Sequence, residues 1–292
     1  MKLDRLLESD YPILLDGSMG TELLRRGFPG SGMNNLHAPD MVYEVHRDYI
    51  RCGCHALTTN TLTMNRIYME RHPMDVDLRD VNLAGVRLAR KAARDLPVLG
   101  NISSTGQMLE PYGTYTEEDF IANFREQALY LIEGGVDGFL IETMFDLREA
   151  LCALRACREL GEMPVIVTIA FHTEKNGGRT IMGDAAVDCS LKLIDAGADA
   201  IGANCGDLDP HQMAIIISHV ARITDLPIVA QPNAGRPRYE DNRNVFEMGP
   251  EEFANGILLC LSAGANILGG CCGTTPDHIQ AAADMLDIDV PV

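Results

Sequence analysis

Two adjacent thiols, Cys271 and Cys272, sit in the run Gly269-Gly270-Cys271-Cys272-Gly273-Thr274-Thr275-Pro276, between an apolar stretch (265–268) and a helix-like segment (276–285). A third, Cys205, stands in the corresponding place earlier in the chain, after the apolar stretch 198–203 and before Gly206. Three cysteines at the ends of two strands point to a tris-thiolate metal centre with a vacant fourth position, and zinc is the metal that suits such donors. Three thiolates make the centre negatively charged and therefore a weak Lewis acid for splitting water. They suit a different task. A free thiol with a pKa of about 8.5 is only slightly ionised near neutral pH, whereas a metal-bound thiol is deprotonated outright and stays nucleophilic. The chemistry implied is alkyl transfer to sulfur.

Other readings of the thiols stand beside this one. A Cys271–Cys272 disulfide requires a strained small ring and an oxidising compartment. A closed structural zinc site requires a fourth protein ligand, and the candidate, His172, falls in a polar loop where a solvated histidine is expected. Of the remaining cysteines, Cys152, Cys157, Cys189 and Cys260 lie in helical runs and read as small apolar residues, while Cys52 and Cys54 form a C-x-C ahead of a strand.

The scaffold that brings these residues together is visible as a repeat of about 30 to 40 residues: a short apolar strand, a polar or glycine-rich loop, then an amphipathic helix. Strands are expected at 13–15, 56–59, 98–101, 138–142, 165–170, 200–204, 228–231 and 266–269. Helices are expected at 40–52, 77–95, 116–133, 147–160, 185–196, 210–224, 250–262 and 276–287. Eight such units with right-handed crossovers close into a (β/α)8 TIM barrel, a single domain over residues 1–292. No G-x-G-x-x-G follows the first strand, so a dinucleotide-binding open sheet is disfavoured. The longest irregular stretches, 25–39, 106–115, 172–184 and 233–248, all follow strands, where barrel enzymes carry their site loops. Asp16, Asn60, Asn101, Glu142, His172, Asn204 with Cys205, Asn233, and Cys271 with Cys272 would then converge on one mouth, with Asn233 on the strand between the cysteine-bearing ones.

Composition narrows the class. Lys+Arg number 24 against 42 Asp+Glu, a formal net charge of -18, so binding to nucleic acid or an anionic membrane is not expected. No apolar run approaches the roughly 18 residues of a membrane span, and the acidic N-terminus lacks the pattern of a signal peptide. A cytoplasmic protein with reduced thiols is expected.

Taken in order, Asp16-Gly17-Ser18-Met19-Gly20-Thr21, Thr59-Asn60-Thr61, Ile141-Glu142-Thr143, Gly202-Ala203-Asn204-Cys205, Pro232-Asn233-Ala234-Gly235 and the 269–276 motif resemble the homocysteine S-methyltransferase family over about residues 14–287. That family includes the homocysteine-binding module of cobalamin-dependent methionine synthase and the betaine- and S-methylmethionine-dependent enzymes. The resemblance implies that Cys205, Cys271 and Cys272 hold zinc and that Asn233 is a placeholder ligand or neighbour that yields to substrate sulfur. It further implies that Asp16 and Glu142 face the amino group of homocysteine and that amides near Gly17 and Thr143 serve its carboxylate. Asp16 also reads as the cap of a helix beginning near Met19. The motifs are most similar to those of the cobalamin-dependent synthase, which implies methylcobalamin carried on a separate corrinoid protein as donor. Betaine, S-methylmethionine or S-adenosylmethionine as donor, a corrinoid-linked demethylase with another acceptor, and a non-catalytic barrel with a structural metal or oxidation-sensing thiols are the alternatives. Ser103-Ser104 stand where many members carry Gly-Pro.

Overall fold

Runs of Ile, Leu, Val and Ala too short for helices, each followed by a capped amphipathic segment, build an alternating chain of strands and helices. The computed structural model describes residues 3–9, 11–240 and 243–288; the ends of the expected 1–292 domain lie outside them. Its strands are β1 (Ile13–Leu14), β2 (Leu57–Thr58), β3 (Val98–Ser103), β4 (Gly138–Met144), β5 (Val165–Ile169), β6 (Ala200–Asn204), β7 (Ile228–Gln231) and β8 (Ile267–Leu268). After them in turn come α1 (Pro39–Arg51), α2 (Leu78–Ala93), α3 (Glu117–Gly134), α4 (Leu147–Arg158), α5 (Ala186–Asp195), α6 (Pro210–Val220), α7 (Pro250–Ser262) and α8 (Pro276–Met285).

The strands form one parallel sheet in the order β1-β8-β7-β6-β5-β4-β3-β2. A parallel bridge between Leu15 and Ala56 joins its two edges, so the sheet closes into the expected (β/α)8 barrel. Local chemistry sets the helix ends. Thr116 and Asp119 make a reciprocal cap at the start of α3, and Gly135 closes that helix in the left-handed conformation. Pro276 opens α8 directly behind the cap residue Thr275, so the cysteine motif runs straight into a helix.

Side chains on a strand alternate between faces, so residues two apart share the barrel interior. Leu15, Ala56, Leu99, Leu140, Ile166, Ala200, Val229 and Ile267, one near or on each strand, pack into a single buried cluster sealed below by Leu3 and Leu6. Two residues further along are Gly17, Thr58, Asn101, Glu142, Thr168, Gly202, Gln231 and Gly269. The apolar layer supplies stability and the layer above it is polar or side-chain-free.

Several boundaries differ from the sequence expectation. β1, β2 and β8 are only two residues each, whereas β3 and β4 run on to Ser103 and Met144. The helix expected to begin near Met19 is Met19–Arg25; the 25–39 stretch expected to be irregular contains a short helix, Asn34–His37, and the 233–248 stretch carries an antiparallel hairpin of Arg238–Glu240 with Arg243–Val245. Among the described residues no helix is long and apolar enough to cross a membrane.

Candidate metal centre and substrate cavity

Cys205 follows the last residue of β6, and its N–H donates to the Gln231 carbonyl at 3.2 Å. Beyond β8 the chain continues strand-like pairing: Gly270 N–H donates to Asp16 O at 3.2 Å and Cys271 N–H to Pro232 O at 2.8 Å. It then turns back on itself, with Thr274 donating from both N–H and Oγ1 to the Cys271 carbonyl. A Cβ at Gly270 would lie 2.6 Å from Thr274 Oγ1, so only glycine permits this turn. Thr274 Oγ1 also accepts from Ser18 N–H, and Thr21 Oγ1 accepts from Gly273 N–H, both at 3.0 Å. The loops after β1 and β8 are thus sewn together around the thiols.

The three sulfurs that the sequence singled out lie within 4.8 Å of one another, with Cys205 Sγ and Cys272 Sγ 3.8 Å apart. Tetrahedral coordination with Zn–S distances of about 2.3 Å would separate ligand sulfurs by about 3.8 Å, so the donor set fits zinc in type and spacing. All nine cysteines are free thiols, which removes the disulfide reading. Hydrogen bonds from Cys205 and Cys271 hold the Cys272 thiol well below its ordinary pKa, while those from Cys205 and Cys272 push Cys271 well above it.

No fourth Cys, His or carboxylate joins the group among the described residues. His172 instead pairs at the surface with Asp207. Cys52 Sγ contacts the Asp48 and Pro276 carbonyls at 3.1 and 3.2 Å, and Cys54 is buried, so the C-x-C is structural. Asn233 lies against the cluster through the backbone, where Ala234 N–H donates to Cys272 O at 2.9 Å. Its Nδ2 donates to Gly206 O at 2.8 Å, and its buried Oδ1 has no partner. That orphaned oxygen suits a neutral, displaceable ligand.

The cysteines form one wall of a cavity of about 300 Å³ whose lining also includes Asp16, Gly17, Thr58, Asn60, Asn101, Glu142, Thr143 and Gln231. Asp16 takes Thr58 N–H and Oγ1 at 2.8 and 2.9 Å. Glu142 takes Asn101 Nδ2 at 2.5 Å and Asn204 Nδ2 at 2.9 Å. Among the described residues neither carboxylate forms a salt bridge, and burial raises each to about 7, with the Asp16 charge adding to the effect on Glu142.

Two expectations need revision. Asp16 does not cap the following helix; Ser18 does, accepting Thr21 N–H at 3.2 Å. The Thr143 N–H is not free for a substrate carboxylate, because it donates to Asn204 Oδ1 at 2.8 Å. Gly17 does line the cavity, packed so closely on Tyr49 that a Cβ would fall 2.8 Å from the ring. Sequence reasoning gave no role to Gln231, whose Oε1 is buried without a partner, or to Thr58, and it treated Asn204 only as a strand end. The period-two spacing of Thr58 and Gln231 above the apolar layer was the available signal.

Residues 13–286 match the sequence profile of the homocysteine S-methyltransferase family. The chain is 30% identical to the methionine synthases of Mycobacterium leprae and Mycobacterium tuberculosis over 92% of its length, and it spans about a quarter (24%) of those relatives. Its fold is similar to that of the Escherichia coli homocysteine methyltransferase MmuM in its metallated form, with a TM-score of 0.79, 24% identity, and coverage of 97% of this chain and 99% of that one. The chain belongs to the homocysteine S-methyltransferase family.

Proposed function

We propose that this protein binds homocysteine by both ends and methylates its sulfur, giving methionine. The observation that carries this reading is a single cavity with a metal-type thiol cluster on one wall and two cation-free carboxylates among its lining residues. A ligand that satisfies it must bring a sulfur and an ammonium group on one short chain. Cys205, Cys271 and Cys272 would hold zinc, which when bound lowers the pKa of an added thiol and keeps its sulfur nucleophilic.

The protein's own residues do the rest. Glu142 and Asp16 take the ammonium group, and the amides of Asn101 and Asn204 aim the Glu142 carboxylate. Asn233 Oδ1, buried without a partner, would be the neutral oxygen available beside the cysteines. The thiol proton leaves, the sulfur lone pair forms the new C–S bond, and the donor departs with the electron pair that held the methyl group.

A methylcorrinoid is the donor we favour. This choice is supported by the Asp16–Thr21 and Thr59–Thr61 motifs and by the 30% identity to methionine synthases. Incubating zinc-loaded protein and homocysteine with methylcobalamin, S-methylmethionine, S-adenosylmethionine or betaine tests it. Methionine should form from methylcobalamin; formation from S-methylmethionine alone would overturn the donor assignment, and no binding of homocysteine at all would overturn the acceptor.

A further inference from the structure

Asn204 occupies the point where the two halves of the site meet. It is fully buried and precedes the ligand Cys205. Its Oδ1 is fixed by two donors, Thr143 N–H at 2.8 Å and Thr168 Oγ1 at 2.7 Å. That fixes the orientation of the amide, so the Nδ2 group must face the other way. There it finds three acceptors: Glu142 Oε2 at 2.9 Å, Thr143 Oγ1 at 2.8 Å and Cys271 Sγ at 3.7 Å.

An amide nitrogen carries two hydrogens, so three acceptors compete for them. The surrounding backbone is held in an uncommon state to create this geometry. Thr143 sits at φ 59° and Cys205 at φ 54°, in the left-handed region that non-glycine residues rarely adopt. The register of β4 against β5 shifts between Ile141 and Met144, so a bulge turns Thr143 toward Asn204. Strain of this kind persists only where neighbouring contacts enforce it, and the Thr143–Asn204 bond is such a contact.

We infer that Asn204 is a positioning residue that couples the amino-acid end of the site to the cysteine end, through N–H bonds to Glu142 and to the Cys271 sulfur. The coupling rests on the reading of Glu142 as the ammonium receptor. When an ammonium group reaches Glu142, Oε2 gives up part of its claim on the same amide and leaves more of it for sulfur. Occupancy at one end thereby changes the electron density of a ligand sulfur at the other.

Two substitutions separate this role from simple support. Asn204→Ala removes the whole amide. Asn204→Asp keeps the shape and the oxygen that holds Thr143 and Thr168, and exchanges the Nδ2 donor for a carboxylate oxygen facing Glu142 and Cys271, so it remains informative should the alanine variant not fold. With Co2+ in place of zinc, both variants should move the thiolate-to-cobalt charge-transfer band to longer wavelength, because a thiolate without its N–H bond is the better electron donor. Both should also weaken homocysteine binding about tenfold more than propanethiol binding, as expected for a coupling of ordinary size. An unmoved band in both variants overturns the contact to the ligand sulfur, and equal losses for the two thiols overturn the coupling. If the unaltered protein binds homocysteine no better than propanethiol, the homocysteine reading fails, whereas the cobalt band still decides the role of Asn204.

Discussion

The lower and upper layers of the barrel interior come from the same eight strands, two residues apart, yet they behave as different materials. Below, Leu140 packs among Leu99, Ile166 and Ala200, with Leu3 and Leu6 sealing the bottom of the layer. Above, Glu142 sits in a ring of amides and hydroxyls, and the buried Asn101 Oδ1 and Gln231 Oε1 have no partner at all. Two residues of strand rise, about 6.6 Å, separate a layer that satisfies itself from one that needs a ligand. The barrel keeps its stability low so that its mouth can afford unpaired groups.

The sharpest way to break the comparison is to remove a sulfur. Cys205→Ala, Cys271→Ala and Cys272→Ala should each abolish both bound zinc and methyl transfer, read by elemental analysis and methionine formation, with little change in thermal midpoint. A variant that kept metal and turnover would remove the upper layer's function. Next in size is the paired contrast between Leu140→Ala and Glu142→Gln. The first should cost about 2–5 kcal/mol in chemical denaturation without altering zinc content. The second should leave stability nearly unchanged and weaken homocysteine roughly thirtyfold, the equivalent of about 2 kcal/mol for a bond to a charged group.

The lower layer and the thiols could be read from sequence, because each announces itself locally. Apolar runs such as 165–169 and the Gly-Gly-Cys-Cys-Gly motif need no knowledge of partners. Asp16, Glu142 and Asn233 were found because they end strands, and the resemblance to a family gave them roles. What could not be read was the wiring. That Thr143 N–H is spent on Asn204, or that Ser18 rather than Asp16 caps the helix, depends on which of several polar groups lies nearest once the barrel has closed. The hairpin in 233–248 escaped because its strands are three residues each, too short for a periodic signal.

A smaller effect is the pH dependence of the upper layer. Burial raises Asp16 and Glu142 from 3.8 and 4.5 to about 7. The folded state therefore keeps protons that the unfolded chain has lost, and this contribution to stability is full below about pH 4 and fades as pH rises through about 7. Urea titrations at pH 5 and pH 8 should show that loss, and Glu142→Gln should reduce it. Binding of the thiol-free amino acid 2-aminobutyrate should strengthen over the same range as the carboxylates ionise; affinity that falls as pH rises from 6 to 8 would contradict the ammonium assignment. The smallest expected change lies outside the cavity. Glu149 accepts Ser104 Oγ at 2.7 Å, so Ser104→Ala should lower stability by about 1 kcal/mol with zinc binding intact.

The most direct measurement is X-ray absorption at the zinc edge, before and after homocysteine is added. Three sulfur neighbours and one lighter ligand should become four sulfurs at about 2.3 Å. An unchanged sulfur count, or four sulfurs already present without substrate, would contradict an open tris-thiolate centre that receives a thiol.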